Sequence, residues 1–238
     1  MVLAELDIFH SRPVAPTRRV ALGEYRLPTR PAPGFGGILL GAVVARFILD
    51  IDRDFQPEFH RLTVELEEGR RIVQPRLRHR FQSDRVGLLR SRHRLVRDGE
   101  RVRFALDDSR ATPLQHLLGA VYAAGSMVDG AAEAMAAVRA GMLWRGPLDD
   151  RLVAHLSGRP AATRVSARAM ADPVSWALDV LDLRSSSRDP GQVRLDVQRR
   201  FRDRLRDAHP DHGGETETAA QRIADLREAR RILLAPAR

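Results

Sequence analysis

The segment "RDAHPDHGGE" (206–215) separates two long charged stretches whose apolar residues recur at helical spacing. Before it, Val197, Phe201, Leu205 and Ala208 fall at four- and three-residue steps, which gives a helix one apolar stripe and an otherwise charged surface. After it, Ile223, Leu226, Ala229 and Leu233 line one side of a second helix, and Thr218 with Gln221 fits a capping box at its start. Pro210 and the Gly213–Gly214 pair mark the turn between them. Amphipathic helices joined by so short a turn pack as an antiparallel pair. Further upstream, Asp172 is an N-cap and Pro173 suits the first helical position, so "VSWALDVLDL" (174–183) reads as a short helix with Trp176, Leu178, Val180 and Leu181 on its apolar side. The loop "RSSSRDP" (184–190) ends it, and Asp189 with Gln192 gives a capping-box start to the helix that carries Phe201. A turn explains the proline and the glycines. It does not explain His209 before the proline and Asp211 after it.

The short helix with "LDVLDL" (178–183), the basic second helix, the tripeptide His209-Pro210-Asp211 and a third helix reading "IADLREARRILL" (223–234) together resemble a J domain, the module of DnaJ-type co-chaperones, over residues 173 to 235. The resemblance implies that the tripeptide sits at an exposed turn, engages a heat-shock ATPase chaperone of the seventy-kilodalton class and triggers its ATP hydrolysis, with no catalysis by this chain and no cofactor. His209, Pro210 and Asp211 are the implied chaperone-binding residues, joined by Arg202, Arg206 and Arg199 on the second helix, whose positive charge would steer it to an acidic partner. Gln198, Arg202 and Arg206 form a row at four-residue steps, about 100° around the helix from the Phe201 stripe. The chain departs from the family's pattern at Gln198 and Asp203, where basic residues are frequent, and at Arg204, where a core leucine is usual. The zinc-binding repeats of full-length DnaJ-type chaperones are excluded because cysteine is absent.

The whole chain has 238 residues, 43% of them hydrophobic and 5% aromatic, sufficient for real cores and weighted toward helix-favouring Ala and Leu. Disulfides, thiolate nucleophiles and cysteine-ligated zinc are ruled out with the cysteines. The start, "MVLAELDIFHSRP" (1–13), carries acids and lacks a basic head followed by an apolar run, so a cytoplasmic protein is expected. The apolar stretch "GFGGILLGAVVARFIL" (34–49) is too short to span a bilayer and reads as a buried helix or strand. The expected fold class is an α+β N-terminal domain over 1–156, a linker at 157–172 and a small all-α J domain over 173–235. Within the first domain, 12–37 reads as irregular and extended, and 57–69 as a short acidic helix carrying Phe59, Leu62 and Leu66. Strands are expected over 71–106, with a hairpin turn at Asp98-Gly99, and helices over 113–156.

All 40 basic residues are arginine, which fits codon usage better than a need for guanidinium groups at every site. Their placement is still uneven. Residues 70–97 hold ten arginines and one acid, Asp84, a local charge of +9 that equals the net +9 of the chain. The pentads "RLRHR" (76–80) and "RSRHR" (90–94) would, on strands, put Arg76, Arg78 and Arg80 on one face and Arg90, Arg92 and Arg94 on one face of another strand. If those strands pair, they form a guanidinium surface for nucleic-acid phosphates or an acidic protein. The plainer alternative is solvated arginines, or pairs with Glu58, Glu65, Glu67 and Glu68 of the preceding helix. "GFGGILLG" (34–41) lacks the third glycine of a dinucleotide loop. Neither the pair His79 and His93, set among arginines, nor the pair His209 and His212 makes a metal set, and no nucleophile elbow is present. Two function classes remain: a co-chaperone whose N-terminal domain brings a client protein, and a nucleic-acid-associated protein whose J domain recruits a chaperone.

Overall fold

A computed structural model describes residues 1–12, 14, 18–158, 166–183, 190–208 and 216–235. The chain is of mixed α+β class and divides into two compact units, Met1–Arg159 and Pro160–Arg238.

The first unit is built on a five-stranded sheet of order β3-β2-β1-β4-β5, formed by β1 (Val2–His10), β2 (Arg19–Arg26), β3 (Arg80–Phe81), β4 (Leu89–Asp98) and β5 (Arg101–Ala105). All neighbours are antiparallel except β2 and β3. Helices α1 (Gly34–Phe47), α2 (Gln56–Glu67), α3 (Pro113–Gly125), α4 (Ala131–Leu143) and α5 (Asp150–Leu156) complete it. Alternation decides which side of β1 faces the helices: Ala4, Leu6, Ile8 and His10 are fully buried, and Ile8 lies against α3 at Gly119, where a Cβ would come closer than 3.0 Å to its side chain. Helices α1 and α4 cross at Gly41 and Gly141. A Cβ on Gly141 would strike the backbone of Gly41, so two glycines set how close the helices lie. Gly141→Ala is expected to lower stability by about 2 kcal/mol through overpacking, despite a helix-propensity gain of about 1 kcal/mol, and a thermal melt of the full chain reads it.

Several local readings hold. The apolar stretch from Gly34 is the buried helix α1, and α2 buries Phe59 and Leu62. The hairpin turns through Gly99, at φ +62°, between the paired Asp98 and Arg101. The helix expected from 113 is α3, and the structure adds a capping box of Thr112 and Gln115 at its start. Two others are corrected. Residues 12–37 are not irregular throughout, because Arg19–Arg26 is strand β2 and α1 begins at Gly34. Residues 71–79 are not a strand: Leu77 and Arg78 have φ of +49° and +59°, and reciprocal backbone hydrogen bonds of 2.9 and 2.8 Å between Arg76 and His79 close a tight turn there. Buried Leu77, 1% exposed, anchors that turn.

The second unit contains α6 (Ala167–Ala171), α7 (Pro173–Val180), α8 (Pro190–Asp207) and α9 (Thr216–Leu234). The Asp172 side chain accepts the Ser175 amide at 3.0 Å, so the expected cap starts α7 with Pro173 in its first turn. The 157–172 stretch is not linker throughout: Ser166 Oγ accepts from the Ala169 amide at 3.0 Å and caps α6, which buries Ala167, Ala169 and Met170. The core of this unit joins Ala177, Leu181 and Leu183 to Val197, Phe201 and Ala208 of the α8 segment and to Leu226 and Ala229 of α9. The Arg230 guanidinium covers the Phe201 ring at 4.9 Å, while Ala208 lies beside Arg222, so α8 and α9 run antiparallel. Helix α9 starts at Thr216, which puts Thr218 inside its first turn rather than ahead of it, and Gln221 donates to Asp225 at 2.8 Å. Asp189 lies outside the described residues, and Gln192 donates to Asp196 at 3.1 Å.

Candidate functional site

The strongest sequence candidate concerns the exposed side of α8. With Val197, Phe201 and Ala208 buried and Leu205 packed against the same core, the opposite side is left to solvent. Arg199, Arg202 and Arg206 are all exposed there, spaced so that they share one side of the helix. Arg204, where the resemblance leads one to expect a core leucine, is not part of the core. Its Nη2 donates to Asp182 Oδ2 at 2.9 Å, and Leu205 takes up the packing, so the core closes without helix unwinding. His209, Pro210 and Asp211 lie outside the described residues, in the segment 209–215 that joins α8 to α9. Between α8 and α9 is a groove of about 420 Å³ lined by Val180, Arg204, Asp207, Ala208, Arg222, Asp225 and Leu226. Burial raises the Asp225 carboxyl pKa there, against the Gln221 hydrogen bond that lowers it.

The two arginine pentads do not form one surface. Strands β2 and β1 stand between β3 and β4, so the segments that carry them are never paired. In the first pentad, Arg76 bonds Glu65 of α2, Arg78 lies over the Phe55 ring at 5.3 Å, and only Arg80 belongs to a strand. In the second, Arg90, Arg92 and Arg94 do alternate onto one face of β4, away from the helices. Opposite them in register on β1 stand Phe9, Asp7 and Glu5. Arg92 grips Asp7 with bonds of 2.6 and 2.8 Å, Arg94 reaches Glu5 at 2.5 Å, and Arg90 lies 3.8 Å from Asp7. The acids that neutralise this row therefore come mainly from β1. Of the α2 acids expected as partners, Glu65 pairs with Arg76, and Glu58 accepts the Leu77 amide at 3.3 Å.

The inward side of the same strand holds what sequence reasoning missed. Ser91 and His93 alternate with the arginines and so point under the helices, where both are fully buried. His93 Nε2 lies 2.9 Å from His116 Nδ1 on α3, and Phe47 stacks on the His116 ring at 4.1 Å. His10 Nε2 meets Ser91 Oγ at 3.1 Å and its Nδ1 lies 3.3 Å from the Ser11 carbonyl. Burial drives His93 down to about 4 and His116 to about 3, with the neighbouring histidines adding to the effect. Both rings are thus neutral, one donating to the other, and His93 Nδ1 and His116 Nε2 have no hydrogen-bond partner among the described residues. Sealed from substrate, the Ser91–His10 pair is a core contact rather than a nucleophile and base. His79 is buried as well, with Nδ1 2.7 Å from the Leu77 carbonyl, and burial lowers its pKa. Among the described residues no group of three His, Cys, Asp or Glu could hold a metal ion. The signal for the buried pair was present in "RSRHR" (90–94), where a period of two puts Ser91 and His93 on the face opposite the arginines.

Comparison of the chain with protein-family models, with curated proteins and with solved structures finds no match in any of the three.

Proposed function

We propose that this chain is a J-domain co-chaperone, in which the second unit stimulates ATP hydrolysis by a heat-shock ATPase chaperone of the seventy-kilodalton class and the first unit brings it to a client protein. The observation that carries the reading is the exposed row Arg199, Arg202 and Arg206 on α8, on an antiparallel helix pair whose connection contains His209-Pro210-Asp211. Proline restricts the backbone at the tripeptide, so an imidazole and a carboxylate are presented with less freedom to lose on binding. The arginine row supplies attraction toward an acidic partner before contact.

A cytoplasmic location belongs to the same proposal. No helix among the described residues is long and apolar enough to cross a membrane. The nucleic-acid alternative has less support, because Asp7 and Glu5 neutralise much of the arginine row on β4.

The reading is tested by single-turnover ATP hydrolysis, with the full chain added to the heat-shock ATPase of its own cell. Wild type is expected to raise the rate. Arg202→Ala should weaken the effect about two- to fivefold at low salt, the range of one exposed charge. Failure of wild type to stimulate at any concentration would remove the proposal.

A further inference from the structure

Helix α8 carries a second stripe beside its arginines. At 100° per residue, Leu195, Arg199, Arg202 and Arg206 fall within an arc of about 60°, and Asp196, Asp203 and Asp207 within an adjacent arc whose centre lies about 90° further round. Asp203 and Asp207 are exposed, Asp196 partly so, and Leu195 is 62% exposed. Both stripes run about 16 Å along the helix. Among the described residues neither Asp203 nor Asp207 is held in an ion pair, although arginines surround them.

The C-terminal turns of a helix carry partial negative charge, and Asp203 and Asp207 repel each other at four-residue spacing. Arg199, Arg200 and Arg206 flank Asp203, however, and Arg204 flanks Asp207, at attractive three- and four-residue spacings, so helix electrostatics give the two acids no clear structural gain or loss. Neither belongs to the core, although Asp207 borders the same groove as Ala208 and Leu226. A surface that served only to attract an acidic partner would be improved by their removal.

We propose that α8 docks through both stripes at once, onto a chaperone surface where an acidic strip that meets Arg199, Arg202 and Arg206 borders a cationic strip that meets Asp203 and Asp207. The inference rests on the co-chaperone reading above and specifies its partner. A uniformly acidic surface attracts one stripe and repels the other. A bipolar surface accepts both and fixes the rotation of the helix about its axis. The acidic stripe thus selects a dedicated chaperone over one whose docking surface is acidic alone.

The test is the double variant Asp203→Asn/Asp207→Asn in the full chain, assayed by single-turnover ATP hydrolysis with the same cell's chaperone, beside wild type and His209→Gln. Asparagine preserves shape, and the repulsions and attractions it removes are weak, opposed and exposed to solvent, so circular dichroism should show equal helicity and a closely similar melting temperature. The concentration for half-maximal stimulation is expected to rise about fivefold at low salt, with the difference shrinking as salt is added. Equal or tighter action by the double variant, with wild type active and His209→Gln inactive, overturns the two-stripe inference and leaves the co-chaperone reading standing. No stimulation by wild type removes both.

Discussion

His209→Gln or Asp211→Asn is expected to reduce the stimulated ATP hydrolysis to the rate of the chaperone alone, while leaving helicity and melting temperature unchanged. Neither residue belongs to the apolar stripes of α8 or α9, and the core of the second unit closes through Val197, Phe201, Ala208, Leu226 and Ala229 without them. The loss therefore falls on binding and not on folding. A charge-assisted hydrogen bond at the centre of an interface contributes about 2–4 kcal/mol, enough to weaken affinity about thirtyfold or more. The two changes act through different atoms: glutamine keeps a donor but loses the ring and its second nitrogen, and asparagine keeps the shape of aspartate but not its charge. Wild-type behaviour from both variants, in a chaperone assay that wild type activates, would show that the tripeptide is not the contact.

The first unit is expected to lose stability steeply between pH 6.5 and 4. His93 and His116 have folded-state values of about 4 and about 3 against 6.5 when unfolded, so the unfolded chain binds more protons as the pH drops. Their stabilisation is complete above 6.5 and is lost as pH falls. Burial is the main cause for both, and the His10 ring adds to it. The carboxylates of Asp107, Asp7 and Asp108 oppose it for His93, while Arg46 works with burial on His116. At pH 5 each ring costs about 2 kcal/mol, at about 1.4 kcal/mol per pH interval. The total of about 4 kcal/mol is a large part of an ordinary domain's 5–15 kcal/mol. Amide hydrogen exchange over β1 and β4 in the full chain, at pH 7.5 and pH 5 after correction for intrinsic rates, reads this loss. The variant His93→Leu/His116→Phe, which removes both titrating groups and keeps the site apolar beside Phe47, should flatten the dependence. An equally steep profile in that variant would place the acid sensitivity elsewhere.

What was legible in the sequence was local. The stripes of α8 and α9, the Asp172 cap, the Asp98-Gly99 turn and the apolar run of α1 each lie within a window of a few turns or a few strand residues, and hydrogen bonds and apolar spacing act over that range. Arg204 was readable as a charge beside the apolar stripe of α8, although only the structure shows it bonded to Asp182.

What only the tertiary structure decided is which strands meet. "VLAELDIFH" (2–10) gives little local sign of being the central strand, because its acids are acceptable only when β4 supplies arginines opposite them. That pairing joins Asp7 to Arg92 and Glu5 to Arg94, residues far apart in sequence, and turns the apparent basic patch into a row of ion pairs. The same pairing puts His93 beneath α3, where His116 meets it. Strand order is set by long-range burial of one face against the helices, which no local period encodes. The sequence therefore determined the elements and the candidate tripeptide, and the sheet's register decided which charges remain unpaired.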